Sequence, residues 1–147
     1  MKQFAVLVLF FVGLALVGCG SNSNSNSTNV NGNWNATLLS NANTTSFTFG
    51  TTLHVNGDGS VSVSNFNFTT TSPCFGSGTT ETGGFTLSGN FNGQTNGAFT
   101  MKVDSANPSG NTLTLTGTDH GNTISGTWTL TGSSGCTGTG TFTMNKT

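Results

Sequence analysis

Charge is the scarcest property of this chain of 147 residues. The sequence has three lysines, no arginine and four acidic residues, and charged residues make up 5% of it, whereas about a quarter is usual in globular proteins. So few cations exclude a surface that neutralises phosphates, and we therefore expect no nucleic-acid partner. Solubility must instead rest on the neutral hydroxyls and amides of Thr, Ser and Asn.

Tyrosine is absent and proline occurs only twice, but 12 Phe and 2 Trp supply apolar area. These aromatic residues are spaced within segments in which apolar and polar residues alternate. Helical spacing is absent after the first 20 or so residues, and a period of two is typical of half-buried β-strands. The composition therefore argues against disorder and for one all-β domain.

Recognisable catalytic constellations are also lacking. No second carboxylate is placed to pair with Glu81 for acid/base chemistry, and the many serines have no His at a spacing that indicates a nucleophile. We therefore expect that the protein is not an enzyme and has no cofactor.

Two imidazoles and two carboxylates lie beside or within predicted turns: His54, Asp58, Asp119 and His120. Such a set is able to bind a divalent metal. The simpler interpretation, which we favour, is that all four are solvated turn residues and that the protein holds no metal.

The N-terminal segment has a basic start at Lys2 and one apolar run from Phe4 to Val17. This run of roughly 14 residues is too short for a transmembrane helix and suits an export signal. The N-terminal segment closes with Leu16-Val17-Gly18-Cys19, which resembles the lipobox of bacterial lipoproteins. The alternative is an ordinary cleaved signal in which Cys19 stands by chance.

The lipoprotein resemblance implies that Cys19 becomes the N-terminus, with diacylglycerol on its sulfur and an acyl chain such as palmitate on its amine. The expected domains are then a signal peptide (1–18), the lipidated cysteine with a flexible Ser/Asn linker (19–32) and an all-β domain (33–147). We expect anchoring in the cell envelope. Gly20 replaces the aspartate that retains family members in the inner membrane, which favours the outer membrane in a two-membrane bacterium.

The two other cysteines, Cys74 and Cys136, are predicted to form a disulfide, because an exported domain meets an oxidising compartment. Metal ligation by these two residues is the weaker alternative. About eight short strands are expected, at the spacing typical of a small barrel or a sandwich. Their approximate ranges are 33–40, 46–55, 60–69, 84–91, 97–103, 112–117, 123–131 and 139–145.

We expect an antiparallel meander closed into a small up-and-down β-barrel, with a β-sandwich as the alternative. A break in the alternation predicts a bulge at Ser64-Asn65. In a meander, the tight turns near residues 56–59, 92–95 and 119–122 share one end. The longer connections that carry Cys74 and Cys136 share the other end.

Gly32-Asn33-Trp34 at the first strand resembles the Gly-x-Trp of lipocalins and avidin-like barrels, in which Trp closes the narrow end. The later lipocalin motifs, and the Arg that packs on this Trp, are missing. The resemblance implies a shape able to hold a ligand, with Trp34 and Trp128 as ligand-binding residues, although a plain core Trp explains Trp34 as well.

Two functions follow as expectations. The first is a lipid-anchored binding module whose barrel holds a small apolar ligand. The second is a structural or surface-interaction lipoprotein with no ligand pocket. A cavity open to solvent would favour the first, and a core packed solid would rule out a ligand inside the barrel. The sequence identifies no protein partner.

Overall fold

The computed structural model describes residues 30–76, 78–79, 85–93, 96–106, 109–133 and 135–147. Within these ranges there is no helix, and the chain forms eight long strands and one strand of two residues. The strands are β1 (Gly32–Ser40), β2 (Thr45–Val55), β3 (Val61–Thr70), β4 (Gly78–Thr79), β5 (Phe85–Phe91), β6 (Ala98–Ala106), β7 (Ser109–Asp119), β8 (Thr123–Thr131) and β9 (Gly138–Lys146).

The strands form one antiparallel sheet in the order β4-β3-β2-β1-β9-β8-β7-β6-β5. The first and last long strands pair with each other along a continuous register from Trp34 opposite Lys146 to Ser40 opposite Gly140. Across the seam between β3 and β5, the chain makes a bridge between Ser60 and Asn90 and a 2.9 Å hydrogen bond from Phe91 N to Gly59 O. The sheet is therefore a nearly closed up-and-down barrel, which confirms the predicted fold.

Alternation within each strand decides which side chains face the interior. On β1, Trp34, Ala36 and Leu38 are buried, whereas the intervening Asn35 and Thr37 are exposed. Every phenylalanine in the described part of the chain is buried. Because successive side chains of a strand point to opposite faces, one alternating pattern supplies both the apolar core and the hydroxyl-rich outer surface.

The predicted bulge is present on β3. The register with β2 shifts between Gly50 and Thr52, and Asn65 takes a φ of 50°. Asparagine tolerates this left-handed conformation better than most residues. The bulge inserts the extra residue that lets Val61 and Phe66 both face the core.

The two ends of the barrel differ. The turn end carries the β2–β3, β5–β6 and β7–β8 connections, together with residue 30. The disulfide end carries the β1–β2, β3–β5, β6–β7 and β8–β9 connections, as the meander predicts. At the turn end, Val30 is fully buried and the Asn31 side chain accepts a 2.6 Å hydrogen bond from Val55 N. The barrel domain therefore includes residues 30–32, which the sequence pattern assigned to the linker.

Candidate functional site

The predicted cysteine pair lies at the disulfide end. Cys74 follows β3 and Cys136 lies between β8 and β9; their sulfurs are at disulfide distance and their Cα atoms are 5.5 Å apart. The Cys74 carbonyl accepts a 2.8 Å hydrogen bond from Nδ2 of buried Asn111, and its N–H donates to the Ser72 hydroxyl. The pair thus joins two loops of the barrel rim, and β7 holds one of them in place.

Aromatic rings fill the interior below this rim. Phe47 stands edge-on to both Phe75 and Trp128, with ring centroids 5.9 and 5.3 Å away. Phe68 contacts Phe75 and Phe85 at 5.4 and 5.3 Å. Rings at these distances and angles attract one another beyond their simple burial. The cluster forms a rigid floor for the end of the barrel.

Trp128 on β8 is held in one orientation by a hydrogen bond to β1, two strands away in the sheet. Its Nε1 donates a 2.8 Å hydrogen bond to the Leu39 carbonyl on β1, across β9. The ring passes over two positions that carry no side chain, Gly138 and Gly140. Only 3% of Trp128 is exposed, so nearly all of its indole is packed inside the barrel.

A cleft of about 490 Å³ lies on this floor. Its apolar surface comes from Phe47, Trp128, Leu130 and Pro73, beside Cys74. Its walls are formed by hydroxyl residues at or beside three connections of the disulfide end: Ser40, Thr45, Ser46, Thr71, Ser72, Thr137 and Thr139. Among the residues that the structure describes, none that lines the cleft is charged. The arrangement suits an uncharged ligand. Such a ligand would form hydrogen bonds with the hydroxyl walls of the cleft and pack on its small apolar base.

The other predicted ligand residue, Trp34, lies near the turn end. It is 1% exposed, its Nε1 donates a 2.7 Å hydrogen bond to Val30 O, and Lys146 Nζ lies 5.7 Å from the ring centroid. A cation from the last strand thus covers this ring, although the sequence lacks the Arg expected there. The two tryptophans are not in one site: Trp128 lines the cleft and Trp34 closes the opposite end.

The four metal candidates are spread over the turn end. His54 and Asp58 are exposed, and His120 Nδ1 lies 3.0 Å from Asn96 Oδ1. In the described ranges, no three His, Cys, Asp or Glu side chains converge on a place for a metal ion. The Ser60 hydroxyl and backbone N–H donate to Asp58 Oδ1, which holds the pKa of this carboxyl below its ordinary value of 3.8.

Asp119 corrects the expectation of four solvated turn residues. It is 0% exposed, because it stands at an inward-facing position at the end of β7. Its Oδ1 accepts a 3.0 Å hydrogen bond from Gly121 N, while its buried Oδ2 has no hydrogen-bond partner. A buried polar oxygen without a hydrogen-bond partner is costly, and alternation along β7 was the signal in the sequence that placed Asp119 inside.

Several cleft residues were not predicted from the sequence, among them Pro73, Thr45, Thr71 and Thr137. The only feature of the sequence that could have indicated them is that they lie near the cysteines in the chain or on loops at the same end of the barrel. Cys19, Glu81 and the expected signal peptide lie outside the described residues. In the parts that are described, no helix has the length and apolar character needed to cross a membrane.

In comparisons with known proteins, the chain matches no family model, no curated protein and no solved structure.

Proposed function

We propose that this protein is a lipid-anchored binding protein of the cell envelope, and that its ligand is uncharged and sits in the cleft at the disulfide end. The observation that carries this proposal is the cleft itself, with its hydroxyl walls and its base of Phe47 and Trp128. Because the rings below it are in mutual contact, the ligand is placed at the mouth and not deep in the barrel.

The position at which the barrel domain begins supports this arrangement. Val30 lies at the turn end, and the cleft lies at the opposite end. A lipid on Cys19 would be joined to Val30 by 11 peptide units, which reach at most about 40 Å when fully extended. Because the tether joins the barrel at the turn end, the cleft lies at the end of the barrel farther from the point of attachment.

The anchor is tested by the mass of the mature protein, extracted with detergent from the envelope of a bacterial host that exports it. We expect an N-terminal Cys19 that carries acyl chains, and Cys19→Ala should lack the acyl mass. A mature N-terminus at another residue, without lipid, would show that the lipobox resemblance is fortuitous.

The cleft is tested by native mass spectrometry of the same detergent-extracted protein. We expect an additional mass that leaves on denaturation and is lost in Thr137→Arg, which places a bulky cation at the cleft wall. Thr129→Arg is the matched control, because Thr129 is an exposed strand threonine outside the cleft. If the additional mass persists in Thr137→Arg, the ligand binds elsewhere.

A structural or surface-interaction lipoprotein is the second candidate function. The filled aromatic interior favours it, because a barrel that is packed by its own side chains needs no ligand for stability. A bare protein mass under gentle extraction, together with co-purified envelope proteins, would support this candidate against the first.

A further inference from the structure

The cleft at the disulfide end continues onto the outer surface of the barrel. A second depression, of about 140 Å³, shares Thr45, Ser46, Phe47 and Thr71 with the cleft. A third, of about 360 Å³, shares Thr48 and Thr69 with the second. We call these three adjoining depressions the β2–β3 track.

The far end of the β2–β3 track is a notch on the outer face. Its base is Gly50, which pairs with Asn35 on β1 and with Asn67 on β3. The missing side chain at Gly50 leaves space between the two exposed asparagines. A Cβ at this position would lie 3.3 Å from Asn35 Oδ1, so even an alanine would touch the wall of the notch.

The polar groups along the track are hydroxyls and amides. A hydroxyl both donates and accepts hydrogen bonds, and an asparagine amide offers one of each kind. In the described part of the chain, no charged residue lines any of the three depressions. By contrast, a depression of about 330 Å³ over β5–β7 includes Lys102. The track is therefore matched to a partner that is rich in neutral donors and acceptors.

The length of the track indicates a chain molecule. The strand segment from Thr45 to Gly50 alone advances about 17 Å, at about 3.4 Å per residue, and the cleft extends beyond it. A single small molecule would occupy one depression only. A neutral linear polymer of sugar rings presents hydroxyls along its whole length and would use all three.

From these observations we infer that the β2–β3 track binds an uncharged linear oligosaccharide, with one end in the cleft and the rest along Thr48, Thr69 and the Gly50 notch. This inference rests on the proposed function and names the ligand class for the same cleft. An acidic polysaccharide is excluded from the proposal because none of the described residues along the track is a cation that could pair with it.

The test is isothermal titration calorimetry of the detergent-extracted mature protein with β-1,4-linked oligomers of glucose and of N-acetylglucosamine, from one to six units. Galacturonic acid oligomers serve as the acidic counterpart. We expect affinity for one neutral series to rise with length and then reach a plateau, with no binding of the acidic series. Thr69→Glu should lower the affinity for the longest oligomer by about tenfold or more, because an uncharged ligand bound there would desolvate the introduced carboxylate.

Thr129→Glu is the matched control, since Thr69 and Thr129 are both exposed strand threonines and only Thr69 lines the track. Equal melting temperatures of the two variants would show that both fold. Thr69→Ser, which keeps the hydroxyl, should bind as the unchanged protein does.

The outcomes separate the two proposals. If oligosaccharide binding is lost in Thr137→Arg but unchanged in Thr69→Glu, or if a copurified ligand mass is present while no oligosaccharide binds, the track inference is wrong and the cleft remains. If no oligosaccharide binds and no ligand mass is found, both proposals are wrong.

Discussion

The indole Nε1 of Trp128 donates its hydrogen bond to the Leu39 carbonyl by reaching across β9 at Gly140. A Cβ at Gly140 would lie 2.7 Å from this Nε1 and would overlap the Leu39 carbonyl oxygen. The missing side chain thus allows one ring to link β8 to β1, the strand pair that flanks the last strand. The same ring forms the base of the cleft.

Gly140→Ala is expected to lower the free energy of unfolding by about 2–4 kcal/mol, because overpacking adds to the loss of the Trp128 hydrogen bond. Gly138→Ala is the control. Its Cβ would meet the edge of the same ring at 3.2 Å, which a small shift relieves, so we expect a loss below about 1 kcal/mol. Urea unfolding followed by tryptophan fluorescence measures both. Equal losses would mean that Gly140 has no special role.

The disulfide gives the second prediction. Cys74 and Cys136 are 62 residues apart, and in the chain-entropy model a loop of this length contributes about 4 kcal/mol. In the Cys74→Ser/Cys136→Ser double variant the free energy of unfolding should fall by about that amount, and reduction of the disulfide in the unchanged protein should have the same effect. Mass spectrometry with alkylation before and after reduction verifies the bond. An unfolding curve that reduction does not move would contradict the prediction.

The alternation of apolar and polar residues predicted the strands well, because in a barrel every long strand has one face in the core and one in water. The same reasoning located the bulge at Asn65, where the period breaks. It also placed the two cysteines at one end, because each strand of a meander reverses the direction of the chain. These features depend on local sequence and on simple connectivity.

The seam and the cleft depend on contacts between distant parts of the chain and were not predictable in this way. A closed meander pairs the first strand with the last, but nothing in the strand patterns indicates that the seam lies between β3 and β5, which are joined by a bridge at Ser60. The cleft is assembled from three separate connections, and threonines such as Thr71 and Thr137 look no different from the many others. Asp119 was misplaced because its neighbours in the turn outweighed its inward register on β7.

The buried position of Asp119 leads to a third prediction. Asp119→Asn keeps the oxygen that accepts from Gly121 N and replaces Oδ2, which has no hydrogen-bond partner among the described residues, with a neutral amide nitrogen. We expect the free energy of unfolding at pH 7 to rise by about 1 kcal/mol or more. Asp104→Asn is the control, because Asp104 has an exposed ion pair with Lys102 at 3.3 Å and should lose at most about 1 kcal/mol. A loss of stability in Asp119→Asn would count against this account.

The fourth prediction concerns pH. Hydrogen bonds from Ser60 keep the pKa of Asp58 below its ordinary value of 3.8 in the folded protein. A lowered pKa means that the ionised carboxylate stabilises the β2–β3 turn at any pH above the unfolded value, and that this stabilisation is lost as the pH falls through the folded value. Between pH 5 and neutrality, the contribution of Asp58 should therefore be constant.

Carboxyl chemical shifts of Asp58 in an NMR titration measure the folded pKa directly, and amide exchange of residues 56–60 reports the stability of the turn. Ser60→Ala removes the hydroxyl that donates to Asp58, so in this variant the pKa should rise towards 3.8 while the backbone N–H of residue 60 still donates. If Asp58 in the unchanged protein titrates at 3.8 or above, the Ser60 hydrogen bonds do not stabilise its charge.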